Sequence, residues 1–187
     1  EAYPFVFKAV VALLVLERIQ FMASFAITFT ICSTNYFQPI GKAVQKIAQD
    51  ELEVHVGLDK EVLRIELNTE RGLAAYQRLK PRIKELFDCV TNAELAWTEY
   101  LFSEGRELVG TTVKHVKNWV LFSARDVYEF LEIESDHKFP KTNPMPHLED
   151  WINISKTQAA PQEQDNNQYK VGTIIRDDDN VNFEVDF

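Results

Sequence analysis

Between Val10 and Phe25 the chain reads VVALLVLERIQFMASF, an apolar helical pattern with one carboxylate, Glu17, set inside it. A second stretch, AVQKIAQDELEVHVG over 43–57, places Asp50, Glu51 and His55 in a helical pattern in the same way. A carboxylate on an apolar face is costly unless it is paired, hydrogen-bonded or bound to a metal. Whatever this chain folds into must answer that demand at both places.

The rest of the pattern is helical. Segment 4–36 reads as one long helix that is apolar nearly all round, which belongs at the centre of a bundle, and its stop is expected at Gln38-Pro39, with Gly41 reopening the chain. A second helix is expected from Lys42 to about Leu67, carrying Ala43, Ile47, Leu52, Val54, Val56, Leu58 and Val62. A third runs from about Leu73 to Phe102, with Leu79, Ile83, Leu86, Val90, Ala93, Trp97 and Leu101 at helical spacing, and Pro81 either kinks or splits it. Thr111 or Thr112 caps a fourth, with the stripe Val113, Val116, Val120, Ala124, Val127 and Leu131. A proline-punctuated loop follows Glu134, and Trp151 and Ile152 anchor a short piece beyond it. From Ala159 the helical period is lost, and residues 163–187 hold seven acidic and two basic side chains, the composition of a mobile tail. The expected organisation is all-α, a bundle portion over 1–158 and a flexible acidic tail over 159–187.

Composition narrows the function classes. A net charge of −9 with scattered basic residues argues against nucleic-acid binding. Cys32 and Cys89 read as small buried hydrophobes of a reduced compartment, which places the protein in the cytoplasm. The N-terminal apolar run is interrupted by Lys8, Glu17, Arg18 and Gln20, leaving only VVALLVL between them, whereas a membrane span needs about 20 apolar residues. It is therefore read as a core helix, with no membrane partner. The start at Glu1 rather than methionine fits a piece of a longer product.

Ferritin-like bundles build dinuclear metal sites from a Glu on each of two helices and a Glu-x-x-His on two others, all pointing inward. Here there is half of that set: Glu17 on one helix, Glu51 with His55 on the next. Carboxylate oxygens with one imidazole suit iron or manganese better than zinc. The plainer alternatives are that Glu17 pairs with Arg18 or a lysine, and that His55 is an ordinary satisfied histidine. Glu51 and His55 are four apart, with Leu52 at the place the usual motif gives to Glu. Four positions still share one face of an α-helix, and a π-type bulge would absorb the extra residue. Glu53 is the alternative ligand.

The run LERIQFMASFAITF followed by KIAQDELEVHV resembles the second half of the small, radical-generating subunit of class I ribonucleotide reductase. In that family a Glu on one helix precedes two ring-lined aromatic positions, and an Asp-Glu-x-x-His motif lies on the next. ELAWTEYLFSEG, TNPMPHLEDW, APQE six residues before a Tyr-x-Val-Gly, and an acidic tail ending in aromatic and aliphatic residues continue the match in order, so the resemblance covers essentially the whole chain. It implies a ferritin-like bundle with a di-iron centre, or a manganese or mixed manganese and iron one. By the resemblance, Glu17, Glu51 and His55 are metal ligands, with Glu51 bridging. Phe21 and Phe25 match apolar positions packed near the radical, with Ile47 beside them, and ordinary core packing is compatible with that role. Asp50 matches a carboxylate that hydrogen-bonds a ligand histidine and relays a proton-coupled electron. Gln49 stands where the family often has Arg, which replaces an ion pair by an amide hydrogen bond. Tyr169 matches the mobile tyrosine that passes the oxidising equivalent to the large subunit, and Glu163 the carboxylate that step needs. Phe183, Val185 and Phe187 match the docking peptide for the large subunit.

The family's first half supplies an Asp, a further Glu-x-x-His, the radical tyrosine and a tryptophan on the electron path, and this sequence contains no match to them. Trp97, Trp119 and Trp151 match other positions, and His115, His137 and His147 have no carboxylate at ligand spacing. The expectation is a split subunit whose N-terminal half is a separate chain, acting with the large subunit as a dimer of small subunits.

Overall fold

The computed structural model of the chain describes residues 3–153. Glu163, Tyr169, Phe183, Val185 and Phe187 lie outside the described residues.

The N-terminal apolar run is helical from Tyr3 to Cys32, in three pieces: α1 (Tyr3–Val15), a π-helical segment (Leu16–Gln20) and α2 (Met22–Cys32). Glu17 sits in the π segment, so the expected single helix is widened where the carboxylate must be placed. Gln38-Pro39 proves to be a helix start rather than a stop. Phe37 takes a left-handed conformation (φ 55°), and α3 (Gln38–Gln49) opens with Pro39 in its first turn, where a missing N–H costs nothing. A second π segment (Asp50–His55) joins α3 to α4 (Val56–Leu67). Thr69 caps α5 (Glu70–Leu101) by accepting from the Gly72 N–H at 2.9 Å, and Pro81 is accommodated inside that helix without splitting it. Thr112 caps α6 (Val113–Phe130), accepting from the His115 N–H at 3.3 Å. A 3₁₀ turn (Pro146–Leu148) leads into the short α7 (Glu149–Ile152). Among the described residues there is no strand, and the architecture is an all-α, ferritin-like bundle.

α1 packs against α4 and α5, α2 against α3 and α6, and α5 lies along α6. Two apolar clusters result: Phe7, Val11, Leu14, Leu63, Phe87 and Val127 belong to one, and Met22, Phe25, Phe29, Ala48, Val120 and Leu148 to the other. The Leu16–Gln20 segment lies in the chain between the α1 and α2 contributions to these clusters. At the α2–α3 approach Gly41 is required, because a Cβ there would lie 2.5 Å from Cys32 Sγ.

The helical period in α5 is as expected, but its phase is not. The buried positions are Ile83, Phe87, Thr91, Glu94 and Thr98, one residue on from most of the apolar stripe, and Ala93 and Trp97 are exposed. Cys89 is exposed for the same reason, two residues and about 200° around the helix from Phe87, which corrects its assignment to the core; Cys32 is buried as expected. The run Tyr3–Cys32 is long and apolar enough to cross a membrane by length and composition, yet 44% of its most apolar window is buried within the protein. Val6, Leu13, Ile47, Val54, Leu58 and Ile65 remain exposed.

Candidate metal centre

The two π segments are in contact. A π turn adds a residue to the helical turn, which re-aims the side chains it carries, and such turns recur at functional sites. Here one carries Glu17 and the other carries Glu51 and His55. One donor atom from each of the three lies within 4.8 Å of the others. His55 Nδ1 is 3.0 Å from Glu51 Oε2 and 3.6 Å from Glu17 Oε1. Glu53 turns away and lines a groove with Leu52, Trp119 and Ile152, so of the two candidate carboxylates Glu51 is the one beside Glu17 and His55.

Glu17 is only 9% exposed, and its Oε2 is buried without a hydrogen-bond partner. The plainer partner for it is engaged elsewhere. Arg18 Nε donates to Asp126 Oδ2 at 3.0 Å, and Lys60 Nζ reaches the same oxygen at 2.6 Å. Burial alone would raise the Asp126 carboxyl, but these two cations outweigh it and hold it below the usual range. Burial, and then the charge of Asp59, push Glu17 up to about 7, against the opposing pull of His55. His55 is raised, first by its hydrogen bond with Glu51. Two carboxylates and one imidazole around a buried, unpartnered oxygen form a donor set that fits a hard divalent cation.

The sequence motifs do not mark Asp59 or Asp126 as members of the site. Asp59 follows Glu51 by eight positions and His55 by four, so helical spacing alone puts it on their face. Asp126 carries no local signal, because its two partners come from distant segments.

Phe25 is buried and Phe21 half-buried, and their ring centroids are 5.9 Å apart. The row continues through Phe29, 6.0 Å from Phe25, to Trp151, 5.1 Å from Phe29. Ile47 is 53% exposed. In α3 it is Gln45, Ala48 and Gln49 that are buried, and two residues of helix turn Ile47 about 200° away from Gln45. Ile47 lies one turn before Glu51. Asp50 is exposed. The Gln49 amide donates to the carbonyls of Trp151 (3.3 Å) and Asn153 (3.4 Å), tying α3 to the segment after the loop.

Glu94 of α5 is buried, and its Oε1 accepts from the Ala23 backbone N–H at 2.8 Å. Ala23 stands in the first turn of α2, where N–H groups have no partner in their own helix, so Glu94 anchors the exit of the first π segment. Burial pushes this carboxyl from 4.5 up to about 7. The folded protein then holds a proton that the unfolded chain releases first, and stability falls as pH rises from about 4.5 through about 7. Glu94→Gln keeps an acceptor for Ala23 and removes the titration. Its unfolding free energy, measured by urea titration from pH 4.5 to 8, is expected to show a shallower decline, the remainder coming from Glu17, and to exceed the parent's at pH 8.

Residues 3–144 match the family model described as ribonucleotide reductase, small chain. Among curated proteins, the ribonucleoside-diphosphate reductase subunit beta of Buchnera aphidicola subsp. Schizaphis graminum is 27% identical over 180 residues, covering 91% of this chain and 45% of that protein. The ribonucleoside-diphosphate reductase 1 subunit beta of Salmonella typhimurium is 25% identical over 175 residues, covering 91% and 46%. The subunit beta of Haemophilus influenzae is 26% identical over 173 residues, covering 90% and 45%. The chain spans about half the length of the curated relatives it matches. With most of its residues inside the matched range, and Glu17, Glu51 and His55 converging within it, the chain belongs to the ribonucleotide reductase small chain family.

Proposed function

We propose that this chain is the C-terminal part of a ribonucleotide reductase small subunit and holds half of a dinuclear metal centre. The observation that carries the reading is the convergence of Glu17, Glu51 and His55 on two facing π segments, inside the range that matches the family. Glu17 and Glu51 supply oxygen donors and His55 a nitrogen, with iron, manganese or both as the ions. When bound, such a centre supplies the one-electron oxidising power that the large subunit uses to reduce ribonucleotides to deoxyribonucleotides. Phe21 and Phe25 keep water from that centre. Asp50, exposed on the second π segment, holds a ligand histidine of the other half and moves a proton with the departing electron. Tyr169, assisted by Glu163, carries the oxidising equivalent onward, and Phe183, Val185 and Phe187 dock the large subunit. Residues 1–158 form the bundle portion and 159–187 the acidic tail, whose negative charge steers association.

The other half of the site comes from the N-terminal half of the small subunit, supplied as a separate chain. Its support is the exposed apolar side chains Leu13, Ile47, Val54 and Leu58, close in sequence to the three donors. The small subunits pair as dimers, and the assembly is cytoplasmic. The test is to purify the assembly through a tag on this chain, identify co-purifying polypeptides by mass spectrometry, and measure metal content and nucleotide reduction with the large subunit. A distinct N-terminal polypeptide, about two metal ions per small subunit, and turnover lost in Tyr169→Phe with metal retained are expected. Full metal and turnover in this chain without a companion half, or turnover unchanged in Tyr169→Phe, would overturn the corresponding part of the reading.

A further inference from the structure

Asp59, in the first turn of α4, faces Glu17 close enough for a hydrogen bond if a proton stood between them. Asp59 Oδ2 and Glu17 Oε2 are each buried without a hydrogen-bond partner. Two ionised carboxylates are acceptors only and repel, so such a facing pair needs a proton or a cation between its oxygens. The cations next to them in sequence are engaged: Arg18, beside Glu17, and Lys60, beside Asp59, both bind Asp126 of α6. That double contact pins the first π segment and the start of α4 to α6, and sets Glu17 and Asp59 against each other. Along the second π segment and α4, Glu51, His55 and Asp59 recur every four residues, which continues one face by a further turn.

We propose that Asp59 is a further metal ligand, an oxygen donor that binds an ion together with the second oxygen of Glu17. The inference rests on the metal-centre reading above and extends it by one residue outside the three-donor set. In a two-metal site the ions stand about 3.5–4 Å apart, so the ligand cage is wider than the 4.8 Å group of Glu17, Glu51 and His55. Asp59 lies outside that group, against Glu17. Binding an ion there converts two unsatisfied, mutually repelling acceptors into two coordinated ones.

The experiment is a Mn²⁺ titration of the metal-free small-subunit assembly, followed by calorimetry and by the electron paramagnetic resonance of bound Mn²⁺. Asp59→Asn and Asp59→Ala are compared with Glu17→Gln and the parent. Loss of an anionic ligand is expected to weaken Mn²⁺ binding at least about tenfold in both Asp59 variants and to change the resonance line shape. Unchanged or tighter binding in Asp59→Asn, with Glu17→Gln strongly impaired, overturns the Asp59 assignment and leaves a proton-sharing pair. Unchanged binding in Glu17→Gln as well overturns the metal-centre reading itself. If Asp59→Asn fails to fold, Asp59→Ala decides, since it removes the carboxylate without adding a donor.

Discussion

Glu51→Ala in the assembled small subunit is expected to lower metal affinity more than 100-fold, at the upper end of or beyond the effect of outer-shell changes, and to abolish nucleotide reduction. It should do so with almost no cost to the fold. The structure pairs Glu51 with His55, an i,i+4 contact on a histidine whose side chain is 48% exposed, and exposed pairs of that kind contribute little to stability. A large loss of metal beside a small change in unfolding free energy separates a ligand from a structural ion pair, which would show the reverse. Metal content by mass spectrometry and denaturant unfolding of the metal-free protein give both readouts. Metal retained at the parent level in Glu51→Ala would remove it from the ligand set, and Glu53→Ala, on the other face, is the matched control.

Phe29→Ala is expected to produce the largest loss of stability among single changes in the aromatic row, about 3–5 kcal/mol. Phe29 is fully buried and lies between Phe25 and Trp151, nearly parallel to both rings, at interplanar angles of 15° and 9°. Removing it opens a cavity that neither neighbour can close. Phe25 is fixed on the same helix, and Trp151 is held by an Nε1 hydrogen bond to Ser33 Oγ at 3.2 Å. Phe21→Ala, at a half-buried position, should cost markedly less. Urea unfolding followed by tryptophan fluorescence measures the difference; equal costs at the two positions would show that the row is not packed as described.

Much of the helical organisation is legible in the sequence because period and capping are local properties. Thr112 is a cap because its hydroxyl reaches the N–H three residues on, and Glu51 and His55 share a face because a helical turn puts them there. Phase is not local. In α5 two neighbouring stripes both read as apolar, and the one that faces inward carries Thr91 and Glu94, whose polar groups find partners on other helices, and Thr98, whose hydroxyl donates to the Glu94 carbonyl one turn back. Gln38-Pro39 misleads for a related reason, since proline ends one helix and opens another equally well, and the left-handed turn at Phe37 decides between them.

From the sequence come the all-α class, carboxylates and a histidine on two successive helices, and the ordered motifs that place the chain with ribonucleotide reductase small chains. These follow from residue types at fixed spacings along one chain. The folded structure adds that both carboxylate segments are π-widened, and that Glu51 rather than Glu53 meets Glu17 and His55. It alone showed that Arg18 and Lys60 are drawn off to Asp126, leaving Glu17 to face Asp59. Each of these depends on which distant groups share a small, poorly solvated volume. There the cost of an unpaired charge, and not its position in the sequence, selects the partner.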